Sequence, residues 1–462
     1  MTEQQKIELF ERTPIPNAVV KMAVPTVASS LVMVLYSLAD TYFVGMLNDP
    51  VATAAVTLAS PVLLAFNALN NLFGVGSSSL MSRSLGCKDY DTVRRTSALG
   101  FYCALFCSLL LSVGCTALKT PLMSLLGADA DTWTATANYM FWTVTCGAAP
   151  AILNVVLANM VRSEGAAMNA SIGTMSGCLL NIVLDPIFIL PWGLNMGAAG
   201  AGLATFLSNC VACLYFFVLL FVRQGKTFVS ISPKDLQWNS RIFLQICGVG
   251  IPAAIQNLLN VTGMTVLNNF TAVYGADAVS AMGIAHKIAM VPMYVAMGVS
   301  QGIMPLVSYN YASKGYRRMK QVVLFAGGIS LAMMVVGTAI CLLGGGPLIS
   351  LFMENESVVA YGEVFLRGMS LAMPFLGLDF LAVGVFQACG MGRNALVFAI
   401  LRKVVLEIPA LIILNQLWPL YGLAYAQLVA EFVLAIAAVV MLGRIFHSLQ
   451  ESDETAKEPS VQ

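Results

Sequence analysis

Two aspartates stand apart from other charges inside long apolar runs. Asp40 lies in LVMVLYSLADTYFVG (residues 31–45), and Asp185 lies in Asn181-Ile-Val-Leu-Asp185-Pro186. A carboxylate deep in a bilayer costs at least about 2.5 kcal/mol, so intramembrane acids usually face a bundle interior or a wet cavity. With about 1.5 Å of rise per residue, each acid sits roughly 9 Å inside the outer end of its span, near Met46 and near Pro191. The i, i+4 spacing sets Asn181 on the Asp185 face, one turn deeper. Thr205, in a span that starts near Ala199, falls at a similar depth. Two carboxylates, an amide and a hydroxyl at one level are an oxygen-rich set that suits a hard cation such as sodium. They suit a proton equally, since two neighbouring acids in low dielectric resist ionising together. Pro186 removes the hydrogen bond its N–H would give to the Ile182 carbonyl and can kink the helix beside the acid. Pro25 can do the same lower in the first span.

The elements that must hold these groups are membrane helices. The chain has 462 residues, of which 58% are hydrophobic and only 10% charged, whereas a soluble protein carries roughly 25% charged residues. Apolar stretches of about 20 residues recur from end to end, and runs so continuously apolar are helices rather than barrel strands. Polar breaks divide the chain into about twelve spans, the fourth over 132–161 and the eleventh over 395–416. Met1 to Thr13 is polar and mixed in charge, which predicts no cleavable signal peptide, so the first span is retained. The net charge of +1 gives no reason to expect a nucleic-acid partner. Eleven cysteines, mostly within apolar runs and without a CxxC pair, read as small hydrophobes rather than a disulfide framework or a metal site.

Lys and Arg concentrate on the cytoplasmic side of membrane proteins. With the N-terminus inside, the inner loops hold Arg83, Lys88, Arg94 and Arg95, then Arg162, then Arg223, Lys226 and Lys234; later ones hold Lys314 to Lys320, Arg402, Lys403 and Arg444. The outer connections hold Asp49, Asp129, Asp277 and Glu354, with Lys119 the one clear base. This alternation predicts cytoplasmic N- and C-termini. The sequence therefore divides into a cytoplasmic segment (1–15), six spans (16–223), a polar cytoplasmic linker (224–240), six more spans (241–447) and a charged, disordered tail (448–462).

The two sets of six repeat one another. Val24-Pro25 falls on Ile251-Pro252, Lys88-x-Tyr90 on Lys314-x-Tyr316, Gly165-x-x-x-Asn169-Ala170 on Gly390-x-x-x-Asn394-Ala395, and Gly202-Leu-Ala on Gly422-Leu-Ala. An even span count makes them parallel repeats, an arrangement found in transporters that rock around a central cavity. The acid pair is not repeated, because Asp40 falls on Leu267 and Asp185 on Ile408. The second half has its own acids. Asp379 follows Pro374 in the tenth span and either lines a cavity or is held in a structural hydrogen bond. Glu407 lies four residues after Lys403, which predicts a helix-face ion pair. Glu431 has no evident partner, and Lys287 is one base able to neutralise an acid here. Tyr36, one turn from Asp40, and Asn154 of the fourth span are candidates for the lining of a substrate cavity, together with Gln256 and Asp379.

The chain resembles bacterial members of the multidrug and toxic compound extrusion (MATE) family. The resemblance covers about residues 15–445 and rests on the duplicated twelve-span plan, Pro25 with the stretch Ala39 to Gly45, Arg162-x-x-Gly165, the Asn181 and Asp185 pair, and Gln387-x-x-Gly390. It implies an all-α fold of two six-helix lobes in a V. It also implies export of cationic or amphipathic drugs in exchange for sodium or protons across a bacterial inner membrane. Membrane lipids and small-molecule drugs are the expected partners, no resident cofactor is expected, and nothing in the sequence demands more than a monomer. Asp40, Asn181, Asp185 and Thr205 match the family's N-lobe cation site, where any metal is a transported sodium. Another branch places a glutamate in the seventh helix, where this chain has Gln256, Asn257 and Asn260. Two other functions weigh less. A lipid-linked saccharide flippase calls for a basic central cavity, and only Lys287 is clearly basic and deep. An intramembrane prenyltransferase needs clustered Asp-rich motifs for its Mg²⁺-diphosphate chemistry, and Asp40 and Asp185 are isolated on separate helices.

Overall fold

The computed structural model describes residues 2–47 and 49–455. Among the described residues the regular structure is helical throughout, the form in which a spanning chain satisfies its own backbone groups. The first half runs α1 (Glu3–Glu11), α2 (Ile15–Gly45), α3 (Pro50–Gly86), α4 (Tyr90–Ala117), α5 (Lys119–Leu125), α6 (Trp133–Cys146), α7 (Ala148–Ser163), α8 (Ala167–Ile189) and α9 (Ala198–Val222). The second half runs α10 (Ser240–Ala272), α11 (Ala276–Ala312), α12 (Tyr316–Ser350), α13 (Glu356–Ala388), α14 (392–417) and α15 (Tyr421–Thr455).

Ten of these helices are each long and apolar enough to cross a membrane, and α6 with α7, bent by 48°, forms an eleventh span. The bend follows a π-helical turn, Phe141–Cys146, and falls at Gly147. Of the other helices, α14, predicted from sequence as the eleventh span, is interrupted by a π-helical turn over Leu401–Glu407, which carries Arg402, Lys403 and Glu407. The charge pattern groups Arg402 and Lys403 with the inner basic residues, although the eleventh predicted span, 395–416, contains them. They lie in the helix and are buried, at 6% and 8% exposure, because carboxylates wait for them there. The last helix reaches Thr455, past the expected start of a disordered tail at 448. Residues 456–462 of that tail lie outside the described residues.

The chain forms two compact units. One holds Ala28–Ala254 with the start of the chain to Leu9, and the other holds Phe10–Val27 with the chain from Ile255 onward. Both α2 and α10 change unit just after a proline, Pro25 and Pro252, which the sequence repeat pairs with each other. Other paired positions are backbone features. Lys88 and Lys314 both have φ near +60° (58° and 61°), and Gly165 and Gly390 close their helices at φ +89° and +75°. The repeat therefore preserves left-handed turns that end helices.

Helices in lipid are held by close packing and polar contacts, since hydrocarbon gives no net reward for burying apolar surface. In the first unit, Gly177 of α8 faces α9 so tightly that an added Cβ would lie 3.0 Å from the Ala212 Cβ and 3.2 Å from the Ser208 carbonyl oxygen. That approach holds the middles of α8 and α9 together. At the other end, buried Lys6 of α1 sets its Nζ 2.6 Å from Glu164 Oε1. Glu164 Oε2 accepts from Thr227 Oγ1 at 2.9 Å and from the Phe228 N–H at 2.8 Å, so one carboxylate fastens both α1 and the linker to the α7–α8 turn.

Candidate functional site

The stretches of α2, α6, α8 and α9 that carry Asp40, Tyr139, Asp185 and Thr205 converge within the first unit. α8 presents Asn181 and Asp185 on one face, both buried, at 2% and 0% exposure. The Asn181 amide has two orientations to choose between. One donates from Nδ2 to Thr205 Oγ1 at 3.3 Å. The other donates from Nδ2 to Asp185 Oδ2 at 2.7 Å and Oδ1 at 3.2 Å, and accepts the Thr205 N–H at 3.1 Å. The second matches every donor to an acceptor and is the orientation the network selects. Either way Asn181 joins α8 to Thr205 of α9.

Asp40 of α2 interacts electrostatically with Asp185. Tyr36, one turn away on α2, lies beside Thr205 and within electrostatic reach of both carboxylates. Four side chains that helical rise sets at one depth, Asp40, Asn181, Asp185 and Thr205, thus fall in one neighbourhood of the fold. A fifth is not picked out from the sequence. Tyr139 of α6 is 5% exposed and lies within electrostatic reach of both Asp40 and Asp185. Its position about seven residues into a span that starts outside is the same depth signal, at roughly 10 Å. Among the described residues neither acid forms an ion pair with Lys, Arg or His. Beside Asp185, Pro186 leaves the Ile182 carbonyl without its helical donor, one more oxygen at this level. The arrangement is a set of oxygen ligands and acids with no fixed cation of its own, suited to holding a mobile one.

Asn154 is set apart from this group. Its Nδ2 donates to the Pro150 carbonyl at 2.7 Å and to Asn209 Oδ1 at 3.1 Å, tying α7 to α9 one turn along from Thr205. The remaining predicted side chains belong to the second unit. Gln256 accepts from Gln387 Nε2 at 3.3 Å. Asp379 of α13 is 1% exposed and faces Glu431 of α15. Its two oxygens, like Glu431 Oε2, have no hydrogen-bond donor.

The partner that sequence leaves open for Glu431 is Arg402, not Lys287. Arg402 Nε lies 2.7 Å from Glu431 Oε1, and its guanidinium sits over the Phe380 ring at 5.1 Å. The expected pair of Lys403 and Glu407 forms at 2.6 Å. The second unit thus buries three acids beside two bases. The sequence signal for Arg402 was its spacing one residue from Lys403 inside an apolar segment, which grouping it with the inner basic residues concealed.

Many apolar helices, a duplicated plan and an intramembrane acid pair, Asp185 buried and Asp40 half-buried, without a fixed counter-ion among the described residues define a multi-pass membrane transporter. The comparisons with known proteins make the class specific. The family model described as MatE matches residues 25–187 and again residues 252–413, once in each repeat. The multidrug export protein MepA of Staphylococcus aureus (strain MRSA252) is 33% identical over 449 residues, covering 95% of this chain and 96% of that protein. MepA of Staphylococcus saprophyticus is 32% identical over 446 residues with the same coverage. A solved structure described as the outward-facing conformation of a multidrug resistance MATE family transporter superposes with a TM-score of 0.91 at 25% identity, covering 97% of this chain and 99% of that one. The chain belongs to the MATE family of multidrug export transporters.

Proposed function

We propose that this transporter expels cationic or amphipathic drugs in exchange for sodium or protons, and that the exchanged cation binds at Asp40, Asn181, Asp185 and Thr205. The observation that carries the reading is the electrostatic interaction of Asp40 with Asp185, on separate helices, with no Lys or Arg paired to either among the described residues. Two such carboxylates within apolar helices, Asp185 buried and Asp40 half-buried, are stabilised by a cation that arrives and leaves. Movement of one charge inward down 100 mV supplies about 2.3 kcal/mol, to which the ion gradient adds. The multidrug export named for the MepA relatives supports the choice of cargo.

Within the first unit, cation binding draws α2 and α8 together through the two acids. The bond that Pro186 withholds lets α8 bend beside Asp185. Loss of the cation leaves two like charges facing each other, which separates the same elements. The two arrangements of this site are the coupling element that the drug pathway senses. Tyr36 and Asn154 are the candidate drug-contacting side chains of this unit; Gln256 and Asp379 are the candidates in the second unit, taken by itself. With the basic connections inside, both termini lie in the cytoplasm, and the chain works as a monomer in a bacterial inner membrane.

Efflux from proteoliposomes under sodium and pH gradients imposed one at a time tests this reading. Wild type is expected to respond to at least one gradient, and Asp40→Asn to neither. Unchanged gradient-driven efflux in Asp40→Asn would sink the proposal.

A further inference from the structure

At the opposite end of the first unit from the acid pair, a cleft of about 700 Å³ opens between the end of α9, the start of α4 and the linker. One wall is apolar, made by Phe217, Val218 and Phe221 of α9. Phe221 is 77% exposed and Val218 52%, on a helix that spans the membrane, so this wall is continuous with the surface that meets lipid. The other side is polar and carries Arg94.

Arg94 stands out by what it does not do. Its neighbour Arg95 is engaged with Asp91 at 2.8 Å, whereas Arg94 forms no ion pair or side-chain hydrogen bond among the described residues. The acid in the lining, Asp235, is already engaged, accepting from Ser230 Oγ at 2.5 Å. The linker backbone is also committed, with the Ile231 carbonyl accepting from the Tyr102 hydroxyl at 3.0 Å. The lining therefore carries one unpaired base, Arg94, against one hydrogen-bonded acid, and two further exposed bases, Lys226 and Lys234, lie next in sequence to the lining residues Gly225, Thr227 and Asp235.

We propose that this cleft seats an anionic phospholipid, with Arg94 on the headgroup phosphate and the upper acyl chain along Phe217, Val218 and Phe221. Arginine matches phosphate oxygens with paired N–H donors, and basic pockets beside spanning helices at the membrane surface recruit anionic headgroups. A free inorganic anion would use the base but gain nothing from the aromatic wall. The wall and the unpaired base together therefore select the lipid. The site lies away from the proposed cation site and does not depend on which ion drives transport.

Native mass spectrometry of the full-length protein, released from micelles doped with phosphatidylglycerol or phosphatidylcholine, tests the proposal. Wild type is expected to retain phosphatidylglycerol over phosphatidylcholine by about fivefold. Arg94→Gln should abolish that preference and Arg95→Gln should keep it. Phe221→Ser should lower lipid retention, while inorganic phosphate alone should fail to bind measurably in calorimetry. Equal retention of the two lipids by wild type, an unchanged preference in Arg94→Gln, or phosphate binding as tight as the lipid's would each overturn the proposal. Arg94 is exposed, so its replacement leaves the fold intact, and an unfolding midpoint equal to wild type verifies this.

Discussion

Arg402→Met isolates what the buried ion pair of the second unit contributes. Arg402 Nε lies 2.7 Å from Glu431 Oε1, and Glu431 is 0% exposed. Arg402 also feels Glu407 and Asp379, so its loss leaves one base, Lys403, beside three acids. Removing one partner of a buried pair costs about 3–5 kcal/mol, because an uncompensated charge stays behind. A body of about 200 residues loses roughly 2–4 °C of unfolding midpoint per kcal/mol, so Arg402→Met should fall by roughly 6–20 °C. The assay is thermal unfolding of the detergent-solubilised protein followed by the fraction remaining monodisperse. Adding Glu431→Gln to Arg402→Met removes the stranded charge and should recover a large part of the loss. A drop under about 2 °C for Arg402→Met, or no recovery in the double variant, would refute the assignment of Arg402 as the counter-charge.

Glu164→Ala strands buried Lys6 and deprives Thr227 and Phe228 of their acceptor; limited proteolysis should then cut the 224–240 linker faster, whereas Glu164→Gln should protect it better by keeping that acceptor. Asn181→Leu removes the amide between Asp185 and Thr205, and gradient-driven drug efflux in vesicles is expected to fall at least about tenfold, in line with a hydrogen bond to a charged group of about 1.5–3 kcal/mol. Gly177→Leu should produce the same transport loss from a distance by forcing α8 and α9 apart, with protein still reaching the membrane. Asn154→Ala leaves Asn209 Oδ1 without its donor and should cost about 1–3 kcal/mol in unfolding measurements, while the cation dependence of efflux stays as in wild type.

Much of this molecule is legible from the chain alone because a bilayer is a strict solvent. Apolar runs must be helices there, and their number and parallel duplication follow from the polar breaks and the paired motifs. Depth is also legible, since helical rise converts residue number into height. That is why Asp40, Asn181, Asp185 and Thr205 could be grouped before any coordinates. The MatE match to each repeat follows the same duplication.

Height is one coordinate of three, and the other two belong to packing. Tyr139 shared the right height yet only the bend at Gly147 and the converging helices show it beside the acids. The close approach at Gly177 decides that Asn181 reaches Thr205. Arg402 and Lys403 group with the inner basic residues in sequence, and tertiary structure buries them because Glu431 and Glu407 are there to meet their charge. The sequence by itself determined which residues lie at the same depth, since that depends on rise along a single helix. Only the tertiary structure decided which of them touch, because contact depends on the rotation and approach of different helices, and these are set by small residues and paired charges far apart in the chain.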